Sequence, residues 1–247
     1  MPQIADLLRN GKPIKAHRPW PRVVVTADIW RIVTHELADG RATLLGLWGD
    51  GGAVPAVHMA VMGEVTRETA IVTIECPGGA FPSVGALHPP AIRLERAILS
   101  LHGLEPTGGP DIRPWLDLGF WDVQHPLGAR KAAPATRTAY AFLPVEGESL
   151  HQIAVGPVHA GIIEPGHFRF TAGGETVARL EQRLGYVHKG IESLMAGATI
   201  ERAVHLAART SGDSTVAYGI ALAHAIEAAQ KIEPPPRAKY LRALMTE

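Results

Sequence analysis

Between Pro110 and Thr138 the chain loses the periodicity that marks it on either side. The stretch is rich in proline, basic and small residues, with little periodicity. Apolar patterns resume after it, so the chain divides into two folded parts joined by an extended connector. The expected boundaries are 1–109, 110–138 and 139–247. The connector is expected to be held on the surface of a partner.

In the first part, Val23 to Val25 is a short apolar strand, and Thr26 is placed to cap the helix that follows. Ile29, Ile32, Val33 and Leu37 give that helix one apolar face. Ala42 to Trp48 and Val54 to Met62 are strands joined by Gly49-Asp50-Gly51-Gly52, a hairpin signal because glycine takes positive φ without steric cost. A strand on both sides is the wrong setting for a phosphate cradle. Ala70 to Glu75 is a further strand, and Pro89 to Leu101 a second helix.

In the second part, Gln152 to Val155, Phe168 to Thr171 and Glu175 to Leu180 are short strands. After Gly185 the pattern turns helical: Val187 to Met195, Ala203 to Ala208, Asp213 to Gln230, and a last helix from Arg237 after Pro234-Pro235-Pro236. The fold class is α+β: an N-terminal mixed helix/sheet domain, then a β-rich segment and the start of a helical bundle.

Composition narrows the functional classes. Hydrophobic residues make up 46% and charged residues 19%, enough for a sizeable core. Lys+Arg and Asp+Glu balance at 24 each, which gives no electrostatic case for nucleic acid. No run of about twenty apolar residues predicts a membrane span, and Met1 to Asn10 does not read as a signal peptide. The single cysteine, Cys76, fits a reducing compartment and a buried strand end.

Four segments carry chemistry. Gly212-Asp213-Ser214-Thr215 has the look of a hydrolase nucleophile, but His224 follows by ten positions on the same helix, out of reach and off the face. A helix cap by Ser211 or Ser214, with Asp213 at the positive helix end, is the simpler reading. Gly156-Pro157-Val158-His159 and Glu164-Pro165-Gly166-His167-Phe168-Arg169 can aim polar groups into a cleft or form a surface hairpin. Tyr186-Val187-His188-Lys189-Gly190-Ile191-Glu192 places His188 and Glu192 at i, i+4 on an expected helix, either as a solvated pair or as a proton-handling one. Arg237, Lys239 and Arg242 read as a solvated helix face.

Together with Pro236-Arg237-Ala238, the last three segments resemble the large subunit of membrane-associated group 4 (energy-converting, formate-hydrogenlyase-type) nickel–iron hydrogenases. That subunit is related to the quinone-site subunit of respiratory complex I. The first part resembles the small peripheral-arm subunit of complex I, through Phe81-Pro82-Ser83-Val84, Pro90-Ala91-Ile92, Leu94-Glu95-Arg96 and Gly109-Pro110-Asp111-Ile112-Arg113. Some hydrogenases of this class fuse the two in this order.

The resemblance implies a two-cysteine motif after Arg209, where this chain has Ser211 and Ser214. Serine does not supply the soft thiolates of a nickel–iron centre. The implied protein is therefore an electron-transfer subunit of a hydrogenase- or NADH:quinone oxidoreductase-like complex without a nickel site, coupling redox chemistry to proton or ion movement. Within it, Glu164, His188, Arg209 and Asp213 would be catalytic, the first two and a desolvated Asp213 by handling protons. His159 and His167 would line a quinone cleft. No cofactor other than a quinone is expected in the chain. An iron–sulfur small subunit and antiporter-like membrane subunits are the implied partners, at the inner face of the plasma membrane. A non-catalytic assembly subunit and an active nickel–iron hydrogenase are the alternatives. The last helix normally continues in this family, so the chain is expected to be the N-terminal part of a longer product.

Overall fold

The computed structural model describes residues 9–128, 135–158, 161 and 164–247. Its first part is built on a five-stranded sheet of order β1-β2-β5-β4-β3. The strands are β1 (Lys12–Pro13), β2 (Arg22–Val24), β3 (Ala42–Asp50), β4 (Ala56–Gly63) and β5 (Thr69–Glu75). Only β2 and β5 run parallel. Helix α1 (Ala27–Ala38) begins where expected, with the Thr26 hydroxyl accepting from the amide of Ile29. Its buried face carries Trp30, Val33 and Leu37, which meet Val57, Met59, Val61 and Val72 from the sheet. The indole N–H of Trp30 donates to Pro82 O at 2.9 Å, so this large ring is buried without an orphaned donor. A turn joins β3 to β4 as expected, with Asp50 accepting from the Gly52 amide, but Gly49 and Asp50 belong to β3 and none of Gly49, Gly51 and Gly52 takes a positive φ.

Helix α2 (Ile92–His102) follows a single 3₁₀ turn at Pro89–Ala91 and ends at Gly103, which is left-handed at φ 69°. It brings Glu95 under the Ser83–Gly85 turn, next to the short parallel pair β6 (Ala80–Pro82) and β7 (Glu105–Thr107). There the carboxylate accepts from Ser83 Oγ at 2.8 Å and from the amides of Val84 and Gly85 at 2.5 and 3.2 Å. Burial still dominates, and pushes the Glu95 pKa above its ordinary value.

The second part holds an antiparallel sheet of order β10-β9-β8: β8 (Leu150–Val158), β9 (Gly166–Gly173) and β10 (Thr176–Arg183). Register pairs His167 with Arg183, Arg169 with Glu181 and Thr171 with Arg179, so all six share one face. Phe168, Phe170 and Leu180 occupy the other, continued by Ile153 and Val155 of β8. The polar face is the covered one: His167, Thr171, Glu181 and Arg183 are buried, whereas Ile153, Val155 and Leu180 are exposed. Four helices follow: α3 (Ile191–Met195), α4 (Ile200–Ala207), α5 (Thr215–Gln230) and α6 (Pro236–Thr246). The α+β reading stands. Helix α5 is apolar yet buries no side chain completely.

The cover over the polar face is the connector and the strap that follows it. Arg96 of α2 is buried, and its guanidinium donates to Arg113 O, Pro114 O, the Asp111 carboxylate and the Tyr140 hydroxyl. Trp115 lies between two guanidiniums, 4.6 Å from that of Arg96 and 5.3 Å from that of Arg183. Arg113 bridges Asp111 and Glu181, and Glu181 accepts from the Leu143 amide. Residues 111–115 of the connector, and 140–143 beyond it, are held between α2 and β10 of the same chain. The physical reason is the guanidinium, which offers five donors and two stacking faces at once.

This packing can be tested at two buried groups. Arg96→Ala strands the carbonyls and the Asp111 carboxylate in a dry interface, and should cost about 3 kcal/mol in denaturant unfolding; Arg96→Lys should recover little of it. The second group is His58, buried on β4 beside Thr73 (Nδ1 to Oγ1, 2.9 Å). Burial lowers its pKa to about 4, so its 3.5 Å contact with Asp50 is not an ion pair at neutral pH. Neutral His58 stabilises the fold above the unfolded-state pKa near 6.5, and that contribution is lost as the pH falls toward 4, by up to about 3 kcal/mol. Glu95, with a raised pKa, acts in the opposite sense. The difference in unfolding free energy between the parent and His58→Leu, measured at pH 7 and pH 4.5, should isolate the His58 slope.

Candidate functional site

The segment from Gly185 to Gly190 departs from the expected helix. Gly190 takes a left-handed conformation at φ 65° and becomes the cap of α3, while the His188 amide closes a turn on Gly185 O. His188 thus lies outside the helix that carries Glu192, and the two do not share a helix face. The cause is local: a glycine with positive φ breaks the i, i+4 register that the apolar stripe suggested. The turn instead presents His188 and Lys189 together, at the junction of two adjoining recesses.

One recess, of about 400 Å³, lies toward the helices and is lined by Glu192, Met195, Thr210 and Tyr218. The other, of about 440 Å³, lies toward the connector and is lined by Phe120, Trp121, Pro126 and Ser193. His188 and Lys189 line both. The imidazole of His188 stacks on the Trp121 indole, with centroids 5.4 Å apart and planes 27° from parallel. Lys189 Nζ donates to Thr210 O at 3.0 Å and stands 3.6 Å from Glu164 Oε1. Both side chains of that ion pair are close to half exposed, so screening holds it to at most about 1 kcal/mol. Its value is geometric: it ties the start of β9 to the loop that carries Ser211.

Three of the expected site segments therefore meet at Lys189: Glu164, His188 and the loop after Arg209. Arg209 is exposed. Asp213 is exposed as well, and accepts a hydrogen bond from Ser211 Oγ. That bond holds its carboxyl below the ordinary range, so the raised pKa expected of a desolvated Asp213 is corrected. Ser214 sits at the N-cap of α5, but no side-chain cap bond forms there; Thr215 Oγ1 donates back to Gly212 O at 2.9 Å. His159 lies outside the described residues.

His167 is placed apart from His188, on the covered face of the second sheet. Its Nδ1–H donates to Gly156 O at 2.9 Å, and its ring leans on Phe142 with centroids 4.9 Å apart. Nε2 is then left as a buried acceptor, and among the described residues it meets no partner. For metals, the loop offers two serine hydroxyls and one carboxylate. The only thiol, Cys76, is buried in the first part, and burial pushes its pKa up to about 11. Among the described residues no three His, Cys, Asp or Glu side chains converge as ligands.

Sequence reasoning left Lys189 without a role and passed over Trp121. Nothing periodic marks either one. The signal available was chemical: a lysine between the histidine and the glycine of the turn, and an aromatic pair, Phe120-Trp121, in a connector rich in proline, basic and small residues.

No protein-family model matches the chain. Curated relatives do. It is 33% identical to hydrogenase-4 component G of Escherichia coli K12 over 206 residues, which is 78% of this chain and 37% of that protein. It is 31% identical to formate hydrogenlyase subunit 5 of the same organism over 189 residues, 72% of this chain and 33% of that protein. It is 25% identical to the C/D subunit of the NADH-quinone oxidoreductase of Phocaeicola vulgatus over 224 residues, 81% of this chain and 43% of that protein. The chain thus spans between a third and 43% of the length of these relatives, and the alignments take in both of its folded parts. The chain is a homologue of hydrogenase-4 component G, formate hydrogenlyase subunit 5 and the NADH-quinone oxidoreductase C/D subunit, which matches its resemblance to a group 4 hydrogenase large subunit joined to a complex I-like domain.

Proposed function

We propose that this chain is an electron-transfer subunit of a membrane-associated complex of the hydrogenase and NADH:quinone oxidoreductase kind, and that its cleft works without nickel. The observation that carries the reading is the donor set beside Lys189. Where a nickel–iron centre needs thiolates, the loop supplies Ser211 and Ser214, whose hydroxyls are hard, weak ligands at neutral pH. Those residues do not fit nickel, and no step is assigned to it.

What remains suits proton transfer next to an electron carrier. Glu164, which pairs with Lys189, and His188, the residue before that lysine, would take and release protons. Asp213, held ionised by Ser211, would act as a fixed negative charge rather than a relay. Arg209 would orient the loop. His167 Nε2, which meets no partner among the described residues, would accept a hydrogen bond from a quinol hydroxyl, and His159 would be the second quinone ligand. An iron–sulfur subunit would deliver electrons, and antiporter-like subunits would take up the protons. No helix among the described residues is long and apolar enough to cross a membrane; the proposed partners would hold the chain at the inner face.

The test is metal content and coupling in the native complex. Nickel should be absent and iron should match the iron–sulfur partners; one nickel per subunit would overturn the proposal. Glu164→Gln should uncouple ion movement from electron transfer by about tenfold or more, read as ions moved per electron. Unchanged coupling would favour the assembly-subunit reading, to which the exposed apolar side chains of α5 and α6 also lend support.

A further inference from the structure

The His188 imidazole has one ordering contact. Among the described residues no side-chain hydrogen bond fixes it, and its ring lies on Trp121. Trp121 does not come from the second part. It belongs to the connector, and its placement is built with care.

Asp117 Oδ1 accepts from three successive amides: Gly119 and Phe120 at 2.9 Å each and Trp121 at 3.2 Å. Such a carboxylate-filled turn leaves the backbone little freedom. Gly119 is left-handed at φ 83°, and a Cβ there would lie 2.5 Å from Thr136 O, so the turn closes against the returning strand of the connector. Leu118 O accepts from the Thr138 amide at 2.9 Å. On the other side, the Leu127 amide donates to Leu101 O at 2.9 Å, which pins the connector to the end of α2. Every one of these restraints belongs to the connector or the first part, and the residue they present touches the second.

We propose that Trp121 is the positioning residue of the cleft: its indole sets the plane of the His188 ring, so that the first part, through the connector, governs the orientation of a proton-handling group. The inference rests on the role proposed above for His188. Tilting the imidazole out of this plane loses the contact, and the ring held in that plane lines both recesses. Movement of α2 or of the connector would turn the ring without touching the cleft directly.

The experiment uses the native complex with Trp121→Ala, Trp121→Phe, His188→Gln and the double variant Trp121→Ala/His188→Gln. Trp121→Ala should lower coupled turnover about tenfold and displace the pH–rate profile, while Trp121→Phe, which can still stack, should recover most of both. The double variant should be no worse than His188→Gln alone, because Trp121 acts only through that ring. Independent losses that multiply, or a phenylalanine no better than alanine, would overturn the proposal. Imidazole proton resonances of the full chain provide the second readout. Those of His188 should move downfield in Trp121→Ala and hold in Trp121→Phe. If they do not move, the positioning claim fails. If they move while His188→Gln leaves turnover intact, the proton-handling role fails and the positioning stands.

Discussion

The guanidinium of Arg96 is the interaction on which the two parts of this protein depend. It is buried and it cannot lose its proton, so a missing acceptor would leave a donor unsatisfied. It therefore requires the carbonyls of Arg113 and Pro114, the Asp111 carboxylate and the Tyr140 hydroxyl to stay where they are. Each of those groups belongs to the connector or the strap. Residues 111–114 and 140 are in this way held together by a single side chain on α2. Arg113 and Arg183 extend the same logic to β10, through Glu181 and the ring of Trp115.

This fixed junction explains why the cleft can be assembled from distant pieces. Lys189 reaches Glu164 and Thr210 O through long, half-exposed contacts that would not hold a loose structure together. They need only select among geometries that the sheet, the connector and Gly190 have already narrowed. The energetic weight lies in the buried arginine network, and the chemical groups sit where it leaves room for them.

Much of the fold was legible because its signals are local. Apolar alternation marked β8, β9 and β10, the Gly49–Gly52 run marked the hairpin, and Thr26 marked the start of α1. The site was legible only as a set of segments. His188 and Glu192 were placed on one helix because the apolar stripe continues through Gly190, and a stripe carries no information about a glycine's φ. Asp213 was expected in a dry cleft, and its surroundings are set by how the loop folds back on Ser211. Trp121 and Lys189 act through contacts across many positions of sequence, which no local pattern records.

The second sheet turns the usual arrangement around, with arginines, a glutamate and a histidine beneath the strap and Ile153, Val155 and Leu180 toward the outside. Hydropathy alternation along β9 therefore identifies a strand correctly and its interior side wrongly. Replacing the outward residues with charged ones to make the protein better behaved in solution would leave its architecture intact. It would also erase a greasy plane that this half of the molecule offers to whatever stands beside it.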